Sequence, residues 1–135
     1  MDEQVIRDVQ STWKQVEGIA PQAAALFYSN LFEAEPSLKS LFKGDMAEQG
    51  KKLMQMIGAA VGKLTDLDVL VPILQSLGKR HGAYGVQESH YATVGGALLK
   101  TLEQGLGPAF TQQVKESWAS VYGVMSNVMI AASKE

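Results

Sequence analysis

Apolar residues recur along this chain at intervals of three and four, and no stretch keeps a strand-like alternation. An α-helix brings residues three and four apart onto one face, whereas a strand uses every second residue. The pattern confines the chain to an all-α architecture, in which helices bury apolar stripes against one another. The clearest stripe is Leu70, Leu74 and Leu77, and it ends in His81. A hydrogen-bonding ring at the end of a leucine stripe needs a partner, because an unsatisfied buried polar group is costly. A backbone carbonyl, a carboxylate or a metal ion would each serve. His81 is one of only two histidines in the chain, which makes it the leading candidate for chemistry.

Six or seven helices are expected from these stripes and from the residues that interrupt them. The first spans about 3–16, with Val5, Ile6, Val9 and Trp13 inward, and Gly18 and Pro21 punctuate it. The second runs over about 21–33 and carries Ala24, Leu26, Phe27, Tyr28, Leu31 and Phe32. In EPSLKSLF, Pro36 suits the first position of a short helix, where a missing N–H is no loss. Lys43-Gly44 breaks it, and Asp45 with Glu48 forms a capping-box pattern that opens the next helix. That helix carries Leu53, Met56, Ile57, Ala60, Val61 and Leu64. Another follows Asp66 and Asp68, with Pro72 in or near its first turn, reaches His81, and is closed by Gly82 and Gly85. A helix over about 89–104 places Tyr91, Val94, Leu98 and Leu102 inward. After a GLGP turn, a last helix over about 111–133 buries Val114, Trp118, Val121, Tyr122, Met125 and Met129.

At 135 residues the chain suits one domain, 1–135, with a real core. A net charge of −2 without a basic block argues against nucleic acid and anionic membranes as partners. The absence of cysteine removes disulfides, thiolate metal sites and cysteine nucleophiles, and it suits a reducing cytoplasm. No apolar run approaches a membrane span, and the start, MDEQVIRDVQ, is no signal peptide.

Several segments, in their order and spacing, resemble the globins. Pro36 and Phe42 stand in the spacing of the globin C-helix proline and haem-stacking phenylalanine. SLGKRHGAYGV resembles the F-helix segment with its proximal histidine, here His81. SHYATVGGALL, LGPAF and SWASVYGVM resemble the G helix, the following turn and the H helix. The resemblance spans essentially the whole chain and is nearest to the neuroglobin-like group of bacterial single-domain globins. It implies a globin fold, a three-over-three helical sandwich around haem.

The resemblance also implies a site. His81 would bind the iron of a haem b (iron protoporphyrin IX), held non-covalently because no C-x-x-C-H motif is present. The other ring nitrogen would donate to the carbonyl of Leu77, one turn back. Tyr28 and Gln49 fall at the distal positions, with Leu53 and Phe42 beside them. Gly50 falls where globin helices touch, opposite the small Ala24. Ile57, Leu77, Val86, Tyr91, Val94 and Met129 would line the apolar pocket. Lys52 is the first candidate to pair the haem propionates, with Lys43 and Arg80 behind it. The implied ligands are O2 and other diatomics, CO and NO. The Tyr–Gln pair is shared with flavohaemoglobins, which implies nitric oxide dioxygenation as a possible activity.

Two departures bear on that activity. The glutamate that joins Tyr91 in the flavohaemoglobin proximal relay is replaced by Ser133. No reductase domain follows, so turnover would need a separate reductase. The distal helix has no histidine, and His90 reads as a surface residue. The alternative is a haem-based sensing or electron-transfer module acting through a partner, disfavoured because no output domain follows Glu135.

Overall fold

The computed structural model describes residues 2–42, 44–83 and 85–134. Among these residues six α-helices occur in order: α1 (Glu3–Glu17), α2 (Ala20–Ala34), α3 (Met46–Gly62), α4 (Leu67–Ala83), α5 (Glu88–Leu106) and α6 (Gln112–Ser133). Two 3-10 turns, Pro36–Leu41 and Gly107–Ala109, join α2 to α3 and α5 to α6. No strand occurs among the described residues. The all-α expectation is met, and most boundaries fall within two residues of those read from the stripes.

Helix starts follow local chemistry. Asp2 accepts from the N–H of Gln4, Asp45 from that of Ala47, and Thr111 from that of Val114. Each satisfies a donor that the first turn of a helix cannot pair internally. Lys43, half of the expected break before α3, lies outside the described residues; its neighbour Gly44 has a φ of +93°.

Two expectations about α4 need correction. Pro72 lies inside the helix, in the second turn counted from Leu67, where it was expected in or near the first. Its missing N–H leaves the Asp68 carbonyl without a helical donor, and Asp68 is exposed, so water can take that role. Gly82 does not end the helix either; α4 continues through Ala83. The stop is Gly85, with φ +92°. Its N–H bonds Gly82 O at 3.1 Å, and the N–H of Val86 bonds His81 O at 3.0 Å. This pair of bonds is a Schellman motif, and it fixes the main chain of His81 to the turn that follows.

The core gathers Val9, Trp13, Leu31, Leu64, Leu70, Leu102, Trp118 and Val121 from most of the helices. α4 lies along α6, α2 against α5, and α1 against α6. A polar cluster seals the last contact. Asp8 accepts from Gln113 Nε2 at 3.0 Å and from Ser117 Oγ at 2.8 Å, and Trp118 Nε1 donates to Thr12 Oγ1 at 2.8 Å. The Gln113 bond, helped by Ser117, Gln4 and the charge of Arg7, outweighs desolvation and holds the Asp8 carboxyl below its ordinary 3.8. A carboxyl lowered in the fold stabilises above its unfolded pKa, and the benefit is lost as pH falls through the folded value. Asp8→Asn should therefore lower the melting temperature at pH 7, and the difference from the parent should shrink in acid. Melting curves at pH 7 and pH 3 check this; an equal difference at both would rule out the ionised form as the source.

Candidate functional site

α3 and α4 are consecutive, yet they do not pack on each other as α4 does on α6 or α3 on α2 and α1. Apolar side chains on several elements border the core without being enclosed. Phe42, Leu53, Ile57, Val94 and Met129 pack against the buried cluster but stay only partly buried. Leu77 and Val86 on either side of His81 are likewise partly buried. Such half-covered apolar surface suits an apolar guest.

His81 is itself partly buried, and its Nδ1 lies 2.8 Å from Leu77 O. A carbonyl oxygen can only accept, so Nδ1 carries the proton. The neutral ring then presents its lone pair at Nε2, the form in which histidine binds metals. Among the described residues no group of three or more His, Cys, Asp or Glu is placed to hold a metal ion. A metal bound at His81 would need most of its donors from a cofactor.

On α2, Tyr28 is buried at 8 % exposure. Its ring meets Phe42 edge-on at 5.3 Å and stacks on Phe32 at 5.9 Å. Burial raises the Tyr28 hydroxyl above its ordinary 10.0, so at neutral pH it remains a hydrogen-bond donor. Gly50 follows Gln49 on α3; a Cβ there would stand 3.0 Å from Ala24 Cβ and 3.7 Å from Tyr28 Cε2. The close approach of α2 and α3 at Ala24 and Gly50 is thus present as expected. It brings the α3 main chain beside Gln49 up to the tyrosine. Gln49 and Leu53 are partly buried, while Lys52 and Arg80 are exposed. Lys43 lies outside the described residues.

Tyr91 is also buried, and its hydroxyl has no hydrogen-bond partner among the described residues. An unpaired buried hydroxyl costs about 1–3 kcal/mol, so a bound group that accepts from it would recover that energy. Tyr122 fixes the backbone there by donating to Tyr91 O at 2.5 Å. Gly95 makes the room: a Cβ at that position would lie 2.7 Å from Tyr122 Cε2. Ser133 sits against α4 at Gly82, next to His81, and its hydroxyl bonds Ile130 O at 2.7 Å. Apolar walls, a lone-pair nitrogen and an unpaired donor together fit a flat apolar cofactor.

Sequence reasoning missed three features. Gly78 abuts Met129 so closely that a Cβ would fall on its carbonyl oxygen and lie 2.7 Å from its Cα. Nothing in the leucine stripe marks that glycine as a crossing point. The second is the Tyr122 bond to the Tyr91 main chain, for which the paired glycines at Gly95 and Gly96 were the available signal. The third is His90, expected at the surface. Its side chain is only 14 % exposed and its Nε2 lies 3.2 Å from Glu35 Oε2. Its Nδ1 accepts from the N–H of Gln87 at 3.0 Å, completing a capping box at the start of α5. A polar residue just inside a helix start was the available signal.

The described residues define a small all-helical fold whose half-covered apolar side chains suit a flat apolar cofactor. The sequence model of the Globin family matches residues 25–129. Neuroglobin from Danio rerio is 34% identical, over 95% of this chain and 87% of that protein. The chain belongs to the globin family. The fold is that of a bacterial globin from Campylobacter jejuni, with TM-score 0.85, 24% identity and coverage of 98% and 96% of the two chains. A hexacoordinated haem protein from an anhydrobiotic tardigrade gives TM-score 0.90 at 18% identity, covering 100% and 96%. A candidate nitric oxide dioxygenase from Rhodothermus marinus, engineered as a carbene transferase, gives 0.88 at 22%, covering 99% and 94%. Family membership implies a haem cofactor and diatomic gases such as O2 as the ligand class. No helix among the described residues is long and apolar enough to cross a membrane.

Proposed function

We propose that this chain is a single globin domain that holds haem b through His81 Nε2 and binds O2 reversibly beside Tyr28 and Gln49. The observation that carries the reading is the 2.8 Å contact of His81 Nδ1 with Leu77 O, which leaves Nε2 as the metal-binding atom. When bound, haem would supply an iron able to take up a diatomic gas. The chain supplies the rest. Leu53, Ile57, Leu77, Val86, Val94 and Met129 would exclude water from the apolar plate, and Phe42 would pack beside it. Tyr91 offers its unpaired hydroxyl, and Lys52, with Arg80, pairs the propionates. The Tyr28 hydroxyl and the Gln49 amide donate to the gas. The protein works in the cytoplasm.

Tyr28→Phe tests the distal donors, because it removes the hydroxyl and keeps the ring packed between Phe32 and Phe42. Hydrogen bonds to charged acceptors are worth ~1.5–3 kcal/mol, so O2 dissociation should quicken about tenfold or more. CO draws less negative charge and should change much less. Stopped-flow exchange of both gases decides it; equal changes would mean altered packing instead of a lost bond.

The same site suits nitric oxide detoxification with electrons supplied from outside the described residues, among which no flavin or nicotinamide fold occurs. The O2-loaded protein mixed with NO and NADH should turn over once and stop until a reductase is added. Sustained turnover on NADH alone would refute the need for a partner.

A further inference from the structure

Val69 and Ile73, one turn apart on α4, are the most exposed large apolar side chains among the described residues, each at 43%. They lie off the face of Leu70, Leu74 and Gly78, which packs α4 into the core and onto α6. A row runs through them at alternating steps of three and four: Asp66, Val69, Ile73, Ser76 and Arg80, all exposed. Such steps keep side chains on one helix face, and repeated they make the seam along which two helices pair. The helical register reaches Asp66, whose carbonyl accepts from the N–H groups of Val69 and Leu70 at 3.1 and 3.0 Å. Neither the Asp66 carboxylate nor the Arg80 guanidinium has a hydrogen-bond or ion-pair partner among the described residues.

This row is its own complement when reversed. Asp66 and Arg80 are each seven residues from Ile73, about 10 Å along the helix. A two-fold axis at Ile73 therefore sets Ile73 on Ile73, Val69 beside Ser76, and Asp66 opposite Arg80 of the second copy. A parallel pair would set acid on acid and base on base, so the charges select the antiparallel arrangement. We propose that this face of α4 is a self-association surface, on which two copies pair antiparallel with Ile73 on the axis and an Asp66–Arg80 ion pair at each end. Self-complementarity is what points to a second copy, because a partner of another kind would need no such symmetry. A seam of one helix per copy lies below about 1,200 Å², so the pair is weak and forms as protein concentration rises. In the paired form Arg80 leaves the proposed propionate contact to Lys52. Neither the row nor the pairing requires haem.

Sedimentation velocity of the full chain over a concentration series should show a monomer–dimer equilibrium. Ile73→Glu sets like charges on the axis and should leave only monomer, with the helical content of the parent because the position is exposed. Asp66→Arg and Arg80→Asp should each weaken association about fivefold or more, and the double swap should restore it. The chain has no cysteine, so Ile73→Cys introduces a single thiol. On the axis that thiol should oxidise to a linked dimer much faster than the thiol of Val124→Cys on α6, where the parent residue is 40% exposed. Monomer alone up to about 1 mM would overturn the proposal. A dimer that survives Ile73→Glu would overturn it too, by placing the interface elsewhere. A double swap no better than the single changes would overturn the antiparallel register.

Discussion

Replacing His81 by glycine should abolish stable haem uptake while leaving the helical content nearly intact. α4 is anchored elsewhere, by Leu70 and Leu74 in the core and by Gly78 on α6. The His81 ring is only partly buried and makes its one described bond to its own helix, so its loss breaks no inter-helix hydrogen bond among the described residues. What it removes is the Nε2 lone pair. No cluster of other donors among the described residues stands ready to replace it. Imidazole added to the His81→Gly protein should restore a proximal-nitrogen absorption spectrum by occupying the vacated space. A merely structural histidine would not be rescued this way. A His81→Gly protein with the parent's spectrum and haem retention would exclude His81 as the ligand.

Gly78→Ala should destabilise the protein by about 2 kcal/mol or more, although alanine is the best helix former. The added methyl would land on the Met129 carbonyl oxygen, and backbone cannot step aside as a flexible side chain can. α4 would have to move off α6, carrying His81 with it, so haem retention should fall as well. Gly96 is the matched control. It lies within α5, and a methyl added there would have nothing within 4 Å, so Gly96→Ala should stabilise by roughly 0.5–1 kcal/mol. Opposite signs from the same chemical change, measured by urea denaturation, isolate the crossing contact. Equal responses at the two sites would mean that α4 and α6 do not meet at Gly78.

Local rules made much of this legible. The i→i−4 spacing of Leu77 and His81 within one helix already implies the bond between carbonyl and ring, because helix geometry is set by the backbone. Capping by Asp45 and the stop at Gly85 are equally local. Family spacing supplied Ala24 opposite Gly50, and the structure has that contact. The features that escaped depend on elements far apart in sequence. His90 is drawn inward by Glu35, a residue beyond two intervening helices. Pro72 inside α4 is the local exception, tolerated because the carbonyl it leaves unpaired, four residues back, belongs to an exposed residue.

The sequence by itself determined the helices, their inward stripes and the local bond that orients the His81 ring, since each follows from neighbours three or four residues away. Only the tertiary structure decided that Gly78 is the crossing point of α4 on α6, that the Tyr91 hydroxyl is buried without a partner among the described residues, and that α3 at Gly50 comes up against Tyr28. These depend on how close two helices come. That distance is set by shape complementarity summed over both surfaces, which no single stretch of sequence encodes.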